Sequence, residues 1–178
     1  MGGEFEYTVV ALSWRKFWTV DEDFFGYKTV VTLRHEMGYI FEDAQEVPLF
    51  ERLYAGGRSF RGFSYRGIGP LGFLPSPPAA AGTLSDDHVG GTWLFLMGLE
   101  YNFPIYQDTL RGVVFTDTGT VSDEAGFGEY RVAIGAGIRL KVPFLGQAPF
   151  ALDFAVPLVK EDGDDARIFS FDISLPFR

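Results

Sequence analysis

Apolar and polar residues alternate with a period of two along most of the chain, which predicts extended strands with two unlike faces. From Tyr130 to Lys141 the even positions read Tyr130, Val132, Ile134, Ala136, Ile138, Leu140; the odd ones read Arg131, Ala133, Gly135, Gly137, Arg139, Lys141. One face is wholly apolar and the other small or cationic. Between Thr92 and Phe103 one face carries Trp93, Phe95, Met97, Leu99, Tyr101 and Phe103, and the other ends in Gly98, Glu100 and Asn102. Phe150 to Val156 and Phe169 to Phe177 repeat the pattern, with Asp153, Ser170, Asp172 and Ser174 on the polar side. Upstream, Thr29, Val31, Leu33, His35, Met37 and Tyr39 oppose Lys28, Val30, Thr32, Arg34, Glu36 and Gly38. Tyr7 to Thr19 and Leu110 to Val121 complete a set of about seven strands, with Arg111 and Asp117 on one face of the latter. No helix longer than a turn or two is expected.

Alternation alone does not separate a membrane strand from a strand of a soluble sandwich. Length does. These stretches run to roughly 10–14 residues, where globular strands usually have about 5–6 and a tilted bilayer-spanning strand needs about 9–11. Trp14, Trp18, Tyr101, Phe103, Tyr130, Phe150 and Phe177 fall near strand ends, as an interfacial aromatic girdle would. Short connections (Pro104 to Asp108, Leu145 to Pro149) alternate with longer acidic ones (Ser122 to Glu129, Lys160 to Ala166), which read as tight turns on one side and solvated loops on the other. The apolar faces are expected to meet lipid. Arg131, Arg139, Glu100, Asp117 and Asp153 are expected to face the interior. The fold class is all-β: an antiparallel meander of about seven long strands forming part of a transmembrane β-barrel.

The longest irregular stretch, Val47 to Gly90, is long enough to be functional or disordered. Its first half is rich in arginines and aromatics and reads as ordered; Ser76 to Asp87 reads as solvated. Within it, Gly67 to Gly72 matches G-x-G-x-x-G, but Pro70 interrupts it and no helix follows, so a glycine-rich loop tip is the better reading than a dinucleotide site.

Composition narrows the chemistry. The net charge of −9 argues against a nucleic-acid partner. The chain has no Cys, which removes disulfides and thiolate chemistry, and only His35 and His88. No metal site, cofactor or catalytic residue is expected. Acidic residues fall mostly in loops; Glu100 and Asp117 differ, because they sit inside strand patterns, where a carboxylate needs a partner or a wet lumen. No apolar run approaches a membrane helix. The start, Met1 to Phe5, lacks the basic and apolar regions of a signal peptide, so the chain is expected to remain where it is made or to be the tail of a longer exported precursor.

Tyr54-Ala55-Gly56-Gly57-Arg58-Ser59-Phe60-Arg61-Gly62-Phe63 resembles the sixth-loop signature of the BamA-type outer-membrane assembly proteins (the bacterial surface-antigen family). That signature is an aromatic, a Gly-Gly pair, then Val-Arg-Gly-Phe or Tyr; Phe60 stands here in place of Val. Downstream, Leu99-Glu100-Tyr101, then Phe115 to Val121 with Asp117, then Tyr130 to Arg139, resemble the next three family strands in order. Ala151 to Leu158 and Ile168 to Phe177 are similar to the last two. The resemblance implies that Arg61, Gly62 and Phe63 fold back into the barrel, where Arg61 meets Glu100 and Asp117. Phe171, Ile173, Leu175 and Phe177 resemble the C-terminal recognition signal of outer-membrane barrels, and Pro176 suits a seam strand.

The family further implies a non-enzymatic activity: insertion and folding of β-barrel client proteins in the outer membrane of a Gram-negative-type bacterium. The implied partners are outer-membrane lipids, unfolded β-barrel clients and accessory assembly lipoproteins. About seven strands fall short of the eight of the smallest single-chain barrels. Residues 1–178 are therefore expected to be the C-terminal portion of a larger barrel, with an inward-folding loop at about 47–90. A two-partner-type polypeptide secretion pore and a soluble lipocalin-like barrel are the alternative readings.

Overall fold

Long alternating segments become long strands here because each can bury one face and leave the other against an apolar surround. The computed structural model describes residues 6–23, 26–74, 80, 82–107, 109–141 and 149–173. Eleven strands follow in order: β1 (Val9–Glu22), β2 (Lys28–Ile40), β3 (Gly62–Phe63), β4 (Leu71–Phe73), β5 (Leu84–His88), β6 (Trp93–Tyr106), β7 (Leu110–Ser122), β8 (Arg131–Lys141), β9 (Pro149–Val159), β10 (Ala166–Arg167) and β11 (Phe169–Ile173). Seven of them form one sheet in the order β1-β2-β6-β7-β8-β9-β11, every pair antiparallel. This is a meander, and the long connection from β2 to β6 joins sheet neighbours. β1 and β11 are the two ends of the sheet and do not pair with each other among the described residues. A single short 3-10 turn, Leu49–Glu51, is the helical content of the described residues.

The faces sort as the alternation requires. Leu99, Ile134 and Val156 lie on the outward face and stay exposed, while Arg131, Asp117 and Asp153 are buried on the inward face. Leu99, Thr116, Ile134 and Val156 stand opposite one another across four strands, at the middle of β6 and β7. A charge in this row meets the hydrocarbon midplane. Ile134→Arg is expected to cost about 2–4 kcal/mol of barrel stability, read as a lower urea midpoint for unfolding from liposomes.

Aromatic side chains band both ends of the outward face. Tyr39, Phe41 and Trp93 touch edge to face at one end. Tyr101 with Phe103, and Phe150 with Phe171, sit at the other. Trp14 departs from the girdle expectation: it lies mid-strand in β1 and stacks on His35 with centroids 5.7 Å apart. Phe177 and Leu175 lie outside the described residues, as do Pro75 to Pro78 and residues 142–148; of Ile173 only the backbone is described.

Three loop expectations and one about the inward face need correction. Pro104 is not in a turn: β6 continues to Tyr106, and the ladder shifts register beside Pro104, where a missing N–H does least harm. The Ser76 to Asp87 segment is not wholly solvated, since Leu84–His88 is β5, paired with β4, and Ser85 is buried. Part of the acidic Lys160 to Ala166 connection turns inward: Asp164 is buried and Ala166–Arg167 pairs with β3. The inward face is not only small or polar. At its loop end Leu94, Leu96 and Val121 are buried on it with Ala133, under Ala55, Phe60, Phe63 and Ile68 of the long connection. The main buried apolar cluster of this chain is thus the packing of a loop into the concave side of the sheet.

Candidate functional site

The β2–β6 connection enters the concave side because its sequence supplies both apolar anchors and glycines for the turns. Leu53 bridges to Gly91 and Ala55 to Ile68, closing residues 55–68 into a tongue. Gly56 and Gly57 both take positive φ just after the closing bridge, and the Gly57 N–H donates to the Phe63 carbonyl. The Arg66 guanidinium lies over the Tyr54 ring, whose hydroxyl donates to the Leu49 and Val89 carbonyls. Phe60 and Phe63 meet edge to face, 5.1 Å apart, and both are buried. Between them stand Arg61 and Gly62, so burying the two rings drives Arg61 toward the wall.

There Arg61 meets two acids. Its Nε donates to Asp117 Oδ2 at 2.8 Å and its Nη2 to Asp117 Oδ1 at 3.0 Å, a two-pronged fork; its backbone N–H adds a third bond to Oδ2 at 3.1 Å. Nη1 donates to Glu100 Oε2 at 2.7 Å. The guanidinium carbon lies 3.4 Å above the centre of the Phe115 ring. Arg61 is 8% exposed and Asp117 1%, so these are charge-assisted bonds shielded from water.

The site holds more than three residues. Arg34 of β2 reaches Asp117 Oδ1 at 2.9 Å, which brings that carboxylate to four donors, its full capacity. Arg34 also donates to the carbonyls of Arg58 and Ser59 in the tongue. Arg139 forks onto Asp153 at 2.6 and 3.1 Å and comes within 3.6 Å of Glu100. Three guanidinium groups and three carboxylates therefore interlock, with no net charge. Their register explains the reach: Arg34, Gly98 and Asp117 are direct partners across β2, β6 and β7. A Cβ at Gly98 would lie 2.3 Å from Arg34 Nε and 2.8 Å from Asp117 Oδ1, so the missing side chain is what lets the two meet across the middle strand. Gly62, at φ +95°, fits for a similar reason, since a Cβ there would lie 3.0 Å from that of Ala133.

Sequence reading placed Arg34, Arg139 and Asp153 on the polar face without linking them to Arg61, and did not single out Gly98 or Phe115. Shared parity on neighbouring strands was the available signal. Phe171 lies on the outward side of β11, opposite Leu152 and stacked on Phe150. The concave side holds an open cleft of about 1030 Å³, lined by nine of the chain's 15 Lys and Arg and four of its 24 acids. The acidic surplus of the chain accordingly lies elsewhere, away from the cavity wall.

An apolar-faced antiparallel meander with a charged concave side, plugged by its own long loop, defines a section of an outer-membrane-type β-barrel. A family model for the Omp85 superfamily domain matches residues 1–177, and the chain belongs to that superfamily of outer-membrane β-barrel proteins. Its fold is similar to the crystal structure of BamA from Haemophilus ducreyi lacking POTRA domains 1-3, with a TM-score of 0.80 at 24% identity. The match covers 96% of this chain and 35% of that one, so the chain spans about a third of the length of that solved protein.

Proposed function

We propose that this chain is the C-terminal portion of a barrel that inserts and folds other β-barrel proteins in the bacterial outer membrane. The observation that carries the reading is the docking of Arg61 on Asp117 and Glu100 inside the sheet, because it fixes a long loop at the wall with bonds that only a fitted guanidinium makes. The acting groups are structural rather than catalytic. Arg61, Gly62 and Phe63 hold the loop, Glu100 and Asp117 receive it, and the last strand offers unpaired backbone groups to a client strand by edge pairing. Phe171, Ile173, Leu175 and Phe177, the last two outside the described residues, are the sequence signal by which such a barrel would be recognised. Lipids meet the apolar outward face; unfolded barrel clients and accessory lipoproteins are the protein partners.

Reconstitution tests this. Liposomes carrying the intact protein are expected to fold an added, urea-unfolded outer-membrane barrel faster than empty liposomes, scored by resistance of the client to SDS without boiling. Equal folding in both would remove the assembly reading. Transfer of a large secreted polypeptide into the vesicle lumen, without client insertion, would favour a secretion pore instead.

A further inference from the structure

The strand at one end of the sheet is tied to the tongue from behind. Among the described residues β11 pairs with β9. One residue before it, β10 leaves the wall and pairs with β3, Ala166 opposite Phe63 and Arg167 opposite Gly62. The ladder extends beyond the Phe63–Ala166 pair: Ser64 N–H donates to the Asp165 carbonyl and Asp165 N–H to the Gly67 carbonyl, each at 2.8 Å. The last loop thus adds itself to the tongue as a strand immediately beside Arg61.

A buried ion pair holds it there. Arg131, at the start of β8 and 2% exposed, forks onto Asp164 with Nε–Oδ2 and Nη2–Oδ1 distances of 2.9 Å. Its Nη1 donates to the Glu129 carbonyl at 2.9 Å. Asp164 Oδ2 also accepts the Glu161 N–H at 2.7 Å, which folds the loop into the turn that presents the carboxylate. None of these groups belongs to the Arg61 cluster. A second tie lies farther along β11: Arg58 of the tongue reaches Asp172 at 2.8 Å, and the Arg58 carbonyl accepts a bond from Arg34, the arginine that shares Asp117.

We propose that Arg131 and Asp164 are positioning residues that fasten the inward loop to the segment leading into β11, so that the Arg61 cluster and β11 move as one unit. A two-residue ladder is weak alone; the buried fork makes it a fixed joint. Coupling of this kind is reciprocal: what frees Arg61 loosens β11, and what re-pairs β11 pulls on the tongue. Its use in admitting a client strand rests on the assembly reading above; the mechanical joint itself does not.

Amide hydrogen exchange on the intact protein in phosphatidylethanolamine–phosphatidylglycerol liposomes tests it without any client. In Asp164→Asn, the amides of residues 169–173 are expected to exchange at least about tenfold faster, while β6 and β7 keep their protection. Arg131→Lys should fall between, because an ammonium keeps the charge and loses the fork. Arg58→Ala, at an exposed position, should loosen β11 only around Asp172. Arg61→Ala should loosen β11 as well, by way of the joint. Unchanged exchange of β11 in Asp164→Asn, or protection lost equally in β6 and β7, would overturn the proposal, as would an Arg61→Ala tongue set free above a fully protected β11. Client folding measured on the same liposomes is a separate readout, so failure of the assembly reading and failure of the joint give different results.

Discussion

Replacing Arg61 by alanine is expected to free the tongue and impair the proposed assembly activity while the seven-stranded wall stays folded. The guanidinium supplies two of the four donors of Asp117, Nε and Nη2, and its Nη1 reaches Glu100; the Arg61 backbone N–H is a third donor to Asp117. Without it the guanidinium groups left beside Asp117 and Glu100 among the described residues are those of Arg34 and Arg139, at 2.9 and 3.6 Å. Removing one partner of a buried ion pair costs about 3–5 kcal/mol, mostly as the penalty of the stranded charge. That penalty is relieved by letting water in, which means lifting the tongue. The wall itself is held by backbone ladders that do not involve Arg61. Proteolysis should therefore cut near Arg58 and Arg66 in Arg61→Ala but not in wild type, with the barrel still SDS-resistant, and under the assembly role proposed above the variant should complement poorly in cells that depend on the protein. Arg61→Lys should rescue in part, since an ammonium can meet one carboxylate but cannot fork onto Asp117 while reaching Glu100. Wild-type growth with a protected tongue in Arg61→Ala would refute the role.

Gly62→Val should eject the same tongue by steric means, with every charge left in place. Gly62 holds φ +95°, a conformation that β-branched residues avoid at a cost of about 1–3 kcal/mol. Its Cβ would also stand 3.0 Å from Ala133 and 3.5 Å from Ala155, on a wall where both neighbours are buried. The backbone there belongs to β3, so the displacement breaks the pairing with β10 and lifts Phe60 and Phe63 out of their cluster along with Arg61. The loss should match or exceed that of Arg61→Ala. The check is the same protease assay, with Gly62→Ala as the graded case: it carries the φ strain and the shortest contact, but no branched methyls. If Gly62→Val protects the tongue as wild type does, the wall is softer than its packing indicates.

These two variants approach one contact from opposite directions, through charge and through shape. The wall is built to accept both. Gly98 leaves a gap that two charged side chains fill, and Ala133 with Ala155 leaves a hollow for a glycine backbone. Small residues on the inward face of β6, β8 and β9 are as much a part of the site as its acids.

The period-two alternation, the length of the segments and the order of turns and loops are local properties, and they settled the strands, their faces and the meander before any contact was known. A pleat turns every second side chain the same way, so Glu100, Asp117, Arg139 and Asp153 were legible as inward without a structure. Arg61 was legible through its Gly-Gly-x-x-x-Arg-Gly-Phe context and the resemblance that this context carries. Parity, however, does not say which residue stands opposite which. That Arg34, Gly98 and Asp117 fall in one row depends on the register of three strands, and a two-residue slip would preserve every face while separating all three. The inward leucines Leu94 and Leu96 conflicted with a polar interior until the tongue covered them. Arg131 and Asp164 lie 33 positions apart, in segments whose local pattern is that of an ordinary strand and an ordinary acidic loop. Only the folding of one loop onto another brings them together, because desolvating a guanidinium is tolerable once a carboxylate is already waiting at the same place.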